Sequence, residues 1–314
     1  MQQRRLGNSG LQVSVVGLGC NNFGGRIDLE ATRMVVHKAI DLGITLFDSA
    51  DIYGNRGGSE TCLGQVLGDR RKEIILATKY AKPMDDAGKL RGASRQYIMS
   101  AVEASLKRLE TDWIDLYQQH EPDPLTPIEE TLRALDDLVR QGKVRYLGCS
   151  NLPGWQVMEA QWTSRHHNLE SFVSAQDEYS LLVRGHESDL IPAMERCGLG
   201  LLPYFPLASG LLTGKYKRNS AMPAGARLTN APGLAKTYVT DANWAIVEKL
   251  EAFAGERGHT LLELAFSWLL ARPTVSSVIA GATKPEQLEQ NVRAADWKLT
   301  AEDIAAIDAI TRKA

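Results

Sequence analysis

The chain has 314 residues, of which 44% are hydrophobic and 24% charged, and a formal charge of −2. That is the composition of a globular enzyme with room for one α/β barrel of about 250 residues plus loops, and it argues against a general nucleic-acid binder. No apolar run approaches ~18 residues, MQQRRLGNSG lacks the apolar core of a signal peptide, and Cys20, Cys62, Cys149 and Cys197 are too scattered for a metal or disulfide motif, so a cytoplasmic protein without membrane span or metal is expected.

In chain order, RRLGNSGLQVS carries an Asn-Ser-Gly turn between short extended pieces and predicts a hairpin capping one end of the fold. VSVVGLG (13–19) predicts a strand. Asp28 then caps a helix to about Leu42, which Gly43 ends. ITLFDSA (44–50) predicts the second strand, Glu60 to Leu67 a short helix, and EIILATKY (73–80) the third strand. Ser94 caps a helix to about Leu109, with Ile98, Val102, Leu106 and Leu109 on one face. WIDLYQQH (113–120), a helix from Pro127 to Arg140, and VRYLGCS (144–150) follow. FVSAQDEY (172–179), LGLLPYF (199–205) and VSSVIAG (275–281) complete the strands. A helix from Pro285 to about Ala295 and a final one capped by Thr300 end the chain, and 214–240 is the longest irregular stretch. Eight strand–helix alternations predict a (β/α)8 TIM barrel as a single domain over 1–314, with an N-terminal β-hairpin cap and an extra C-terminal helix. An open doubly wound sheet is the alternative.

Reactive or polar residues sit where the strands end: Asp48, Lys79, His120, Ser150-Asn151, Gln176, Tyr204 and Gly281-Ala282-Thr283. In a parallel barrel those ends share one face, the face that carries active sites. Tyr53 lies five residues past Asp48. A phenol ordinarily titrates near 10, and an adjacent ammonium such as Lys79 would favour its phenolate. A lysine at a buried strand end needs a counterion, and Asp48 is placed to be one. His120 can hydrogen-bond a carbonyl oxygen beside Tyr53.

Ser150, Asn151 and Gln176 offer amide and hydroxyl groups suited to a nicotinamide carboxamide, and Tyr204 a flat face for its ring. Ser209 and Gly210 allow backbone N–H groups to approach a pyrophosphate, and Gly281-Ala282-Thr283-Lys284 leads into a helix N-terminus that favours phosphate. Lys284, Lys215 and Arg227 are candidates for the 2′-phosphate of NADP. Gly17-x-Gly19 followed by Gly24 lacks Rossmann spacing, and Gly210-x-x-x-Gly214-Lys215 is one residue short of a P-loop.

These residues resemble the aldo-keto reductase superfamily. Phe47-Asp48-Ser49-Ala50-Asp51-Ile52-Tyr53-Gly54 is similar to its first signature, and Lys79, His120, Gly148-Cys149-Ser150-Asn151, Tyr204-Phe205-Pro206-Leu207 and Ile279 to Thr283 follow in the family order. Gln176 to Leu182 and Pro206 to Lys215 look closest to a bacterial branch related to the β subunits of voltage-gated potassium channels. The resemblance implies NADPH-dependent reduction of a small carbonyl substrate, with Asp48, Tyr53, Lys79 and His120 as catalytic tetrad. It further implies a cofactor site including Gly19, Cys20, Asn21 and Arg26, then Pro206 and Leu207, and finally Gln287, Gln290 and Asn291. His120 matches the classical reductases where the channel subunits carry Asn, and Tyr204 stands where the branch often has Trp. Two other readings compete: a Schiff-base lyase using Lys79, which leaves the amides and basic loop unexplained, and a non-catalytic NADP-binding partner protein.

Overall fold

The computed structural model describes residues 1–312. Gln3–Arg5 (β1) and Gln12–Ser14 (β2) pair antiparallel as the expected hairpin. The barrel strands are Val16–Gly19 (β3), Leu46–Asp48 (β4), Ile75–Tyr80 (β5), Ile114–Gln119 (β6), Val144–Ser150 (β7), Phe172–Gln176 (β8), Gly200–Leu201 (β9) and Val278–Gly281 (β10). All pair in parallel, in the order β10-β3-β4-β5-β6-β7-β8-β9. The two edges also meet: Leu201 N–H donates to the Thr274 carbonyl at 2.7 Å and Ser276 N–H to the Leu201 carbonyl at 3.0 Å, just before β10. The sheet therefore closes as the predicted (β/α)8 barrel.

The hairpin plugs the N-terminal end of the strands. Leu6, Leu11 and Val13 pack against Leu46, Ala77, Leu116, Leu202 and Ile279 inside the barrel. With one end filled by apolar side chains, the polar strand ends at the opposite mouth are left as the open face. The larger core lies between the strands and the surrounding helices. Those helices include Leu29–Asp41 (α1), Tyr53–Leu67 (α2), Arg95–Leu109 (α3), Ile128–Arg140 (α4), Gly154–His167 (α5) and Leu190–Cys197 (α6). Asp28 and Ser94 cap α1 and α3 as their positions predict, each accepting a backbone N–H.

Several expectations change in detail: the first strand, expected from 13, begins at Val16, the sixth, expected to 179, ends at Gln176, and the last, expected from 275, begins at Val278. The strand expected over 199–205 shrinks to Gly200–Leu201, because Pro203 and Pro206 have no N–H for a ladder; only a bridge from Glu178 to Tyr204 extends it. The second strand covers only Leu46–Asp48. The stretch 214–240 contains two short helices, Arg227–Asn230 (α7) and Pro232–Tyr238 (α8), the latter with proline at its start. The helix expected from Glu60 begins at Tyr53, passing through left-handed residues 54–57. Gly54 has φ 66°, and a Cβ there would lie 2.4 Å from the Phe23 carbonyl oxygen. Only glycine lets this turn press against the loop after β3, and the turn sets Tyr53 at the barrel mouth. Asp241–Gly255 (α9), Leu261–Leu270 (α10), Pro285–Ala294 (α11) and Ala301–Thr311 (α12) complete the chain, and α12 is the expected extra C-terminal helix. No helix among the described residues is long and apolar enough to cross a membrane.

Candidate active site

A cavity of about 950 Å³ opens at the C-terminal ends of the strands. On one wall Asp48 ends β4 and Lys79 lies on β5. Lys79 Nζ donates to Asp48 Oδ2 at 2.6 Å and to the Ser49 carbonyl at 2.9 Å, and its side chain has no exposed surface. Burial alone would push that amine down, but Asp48 and then Tyr53 outweigh it, so Lys79 stands above its ordinary value and stays charged. Lys79 therefore lies behind the wall, while Tyr53 lines the cavity in front of it. The ammonium sits 5.0 Å from the Tyr53 ring centroid, and the His120 ring meets Tyr53 edge-on at 5.6 Å.

The electrostatics refine the expected acid. Burial pushes the Tyr53 phenol above its usual range; Lys79 acts the other way, as anticipated, but does not prevail. The phenol is thereby held in its protonated form. Burial, reinforced by Lys79 and Lys82, pushes His120 down to about 2, so its ring is neutral. Its Nδ1 is buried without a partner.

Two amides complete the environment of Asp48. Gln176 Nε2 donates to Asp48 Oδ1 at 2.9 Å and Gln118 Nε2 to the same oxygen at 3.0 Å. Gln118 was not anticipated, although its position two residues before His120 on a strand places both on the interior face. Gln176 lines the cavity, but its nitrogen serves Asp48. The amide of Asn151 is also engaged: Nδ2 donates to the His120 carbonyl at 2.9 Å and to Ser150 Oγ at 3.0 Å, while Tyr204 OH donates to Oδ1 at 2.8 Å. Ser150, Asn151 and Tyr204 are thus linked through side chains, and the Asn151 N–H donates to the Gln176 carbonyl at 3.2 Å, which joins Gln176 to the same floor.

Beyond Tyr204 the backbone turns through left-handed Phe205, Ala208, Ser209 and Gly210. A Cβ at Gly210 would come within 3.4 Å of Lys215 Nζ, and Ser209 Oγ is buried without a partner. Pro206, Leu207, Ser209 and Gly210 all reach the cavity, as do Arg26, Lys215 and Arg227. Burial lowers both Lys215 and Arg227, and the neighbouring Arg26 lowers them further; among the described residues neither forms a salt bridge with a carboxylate.

At the far end, Gly19, Cys20, Asn21, Gly281, Thr283, Gln287, Gln290 and Asn291 line the cavity. Ala282 and Lys284 do not. Ala282 is buried, with its carbonyl accepting from Asn22 Nδ2 at 3.2 Å, and Lys284 is exposed. The N–H groups of Thr283 and Lys284 donate to Gln287 Oε1 at 2.7 and 3.2 Å, so the start of α11 is capped by its own chain. Asn22, Ile52, Lys82, Glu121 and Phe205 also line the cavity; all but Lys82 lie within or next to the quoted motifs, but nothing in their own chemistry marked them out.

The model of the aldo/keto reductase family matches residues 15–312. A probable voltage-gated potassium channel subunit beta of Arabidopsis thaliana is 37% identical, covering 94% of this chain and 92% of its own. The uncharacterized oxidoreductase YrpG of Bacillus subtilis is 36% identical, covering 99% and 96%. L-glyceraldehyde 3-phosphate reductase of Escherichia coli is 35% identical, covering 98% and 92%.

Proposed function

The chain belongs to the aldo/keto reductase family of oxidoreductases, and on that premise we propose that it reduces a small aldehyde or ketone with NADPH, Tyr53 donating the proton. The observation that carries this reading is a phenol on a cavity wall, backed by a buried lysine amine that is itself paired with Asp48. The cavity is at the large end of the range for ligand and cofactor sites, and it fits a dinucleotide in two further respects. Arg26, Lys215 and Arg227 gather where phosphates would need cations. The buried, unpartnered Ser209 Oγ and the glycine turn beside it offer donors to the same groups. Bound NADPH supplies the hydride.

The protein's part is positioning and proton transfer. A carbonyl oxygen between Tyr53 and neutral His120 receives a hydrogen bond from the imidazole and the proton from the phenol. Lys79 then stabilises the phenolate that remains, and Asp48 keeps Lys79 charged in its buried position. Lys82, whose charge reaches His120, stands with Glu121 at the same wall. The name of the Escherichia coli relative makes a phosphorylated short aldehyde the first substrate to try.

The test is oxidation of NADPH, followed by absorbance, over a panel of aldehydes, ketones and dicarbonyls, repeated with NADH and with Tyr53→Phe. We expect the variant to bind NADPH normally and to lose about 10²–10⁴-fold in turnover. Retained turnover would remove Tyr53 from the mechanism. The name of the plant relative supports a second reading, a non-catalytic NADP-binding partner protein. That reading predicts tight cofactor binding with no turnover of any carbonyl.

A further inference from the structure

Gln118 is a wholly buried polar side chain in the barrel interior that the proposed chemistry leaves unused. Its Nε2 donates to Asp48 Oδ1 at 3.0 Å, beside the donation from Gln176 Nε2 at 2.9 Å. An ionised carboxylate only accepts hydrogen bonds, so both amides must present nitrogen to it, which settles their orientations by chemistry. The second N–H of Gln176 reaches Gln118 Oε1 at 3.3 Å. With both N–H groups engaged, the atom Gln176 has left for the cavity is its oxygen. The register makes room for this arrangement: Gln118 pairs with Gly148 on β7, where a Cβ would lie 3.0 Å from Gln118 Cγ and 2.7 Å from Ser174 Oγ.

We infer that Gln118 is a positioning residue that ties the cavity floor to the proton donor. Together with Gln176 it clamps Asp48 Oδ1, so that Oδ2 stays on Lys79 and the ammonium stays beside Tyr53. By accepting from Gln176 it also holds that amide with its oxygen toward the cavity, ready for a donor such as a carboxamide NH₂. The catalytic consequence rests on the reductase reading given above; the clamp itself does not.

Two variants and two readouts test the inference. Gln118→Met keeps the length of the side chain and removes its hydrogen bonds. Turnover should fall about tenfold, as for loss of a hydrogen bond to a charged group, with KM for the carbonyl within about twofold of wild type. Gln118→Glu places a second carboxylate against Asp48 when ionised, but when protonated it donates to Asp48 Oδ1 as the amide does. Its turnover should recover as the pH is lowered, while Gln118→Met stays low throughout. A ligand-free crystal structure of Gln118→Met should show the Asp48 carboxylate turned and its 2.6 Å contact with Lys79 lengthened, or the Gln176 amide reoriented.

Wild-type turnover and unmoved side chains in Gln118→Met overturn the inference. So does a parallel loss in both variants at every pH that tracks a fall in Tm. If the wild type itself turns over no carbonyl, the reductase reading fails, and the crystal structure alone then decides whether the clamp exists.

Discussion

Asp51 carries an unusual load for a residue two positions before the proposed proton donor. It is 1% exposed, and neither carboxylate oxygen meets a donor at full hydrogen-bond geometry, the Ile52 N–H and the Tyr97 hydroxyl being the nearest ones acting on it. Burial, followed by the proximity of Glu60, raises its pKa from 3.8 to about 8, against the weaker opposing pull of Arg108. In the unfolded chain the same group titrates near its ordinary value. Between those two values the folded state holds a proton that the unfolded state has released. Stability is therefore fully present below about pH 4, falls by roughly 1.4 kcal/mol per pH unit as the pH rises, and levels off above about pH 8. The whole window amounts to about 6 kcal/mol.

Asp51→Asn keeps the shape and removes the titration. Any cost of burying its amide is the same at every pH, so the informative quantity is the difference from wild type as a function of pH. From pH 5 to 8 that difference should move in favour of the variant by about 4 kcal/mol, or about 8 °C in Tm at roughly 2 °C per kcal/mol. Thermal melts of both proteins at half-unit pH steps measure it. A constant offset between the two curves would refute the reasoning, since it would mean that Asp51 folds as a carboxylate with its charge compensated.

Two further outcomes follow from the site. His120 is pushed down to about 2 and the Tyr53 phenol is held above its usual range, so reductive turnover should be level between about pH 5 and 8 and decline only at alkaline pH as the phenol loses its proton; a limb near the ordinary histidine value in the kcat profile would contradict the neutral imidazole. Lys215→Ala and Arg227→Ala should each weaken NADPH about tenfold in a fluorescence titration, more at low salt, while NADH binding changes little; equal losses for both cofactors would place those cations elsewhere than on the 2′-phosphate.

The barrel was legible because a parallel strand buried on both faces reads as a short apolar run, and eight such runs alternate with helices at regular intervals. The polar ends of those runs were legible for the same reason: Asp48, Lys79 and His120 each interrupt an apolar pattern. Even the salt bridge between Asp48 and Lys79 followed from the cost of burying an unpaired amine. The limits of the second and seventh strands were less legible, since β9 depends on where Pro203 and Pro206 interrupt a ladder that only the closed barrel defines.

Three-dimensional packing decided the rest. Strand alternation puts Gln118, not Gln119, on the interior face, but its role comes from the register that sets it beside Asp48 and opposite Gly148. Nothing local shows that Gln287 caps the start of α11, or that Ala282 turns inward while Thr283 faces the cavity. The net direction of the Tyr53 shift is a balance between burial and the Lys79 charge. Sequence patterning determined which residues are apolar and which strand ends are polar, and hence the fold and most of the residues gathered at the candidate site. Distances, hydrogen-bond partners and the sign of each electrostatic balance belong to the tertiary structure, because each depends on groups far apart in the chain whose separation only the closed barrel sets.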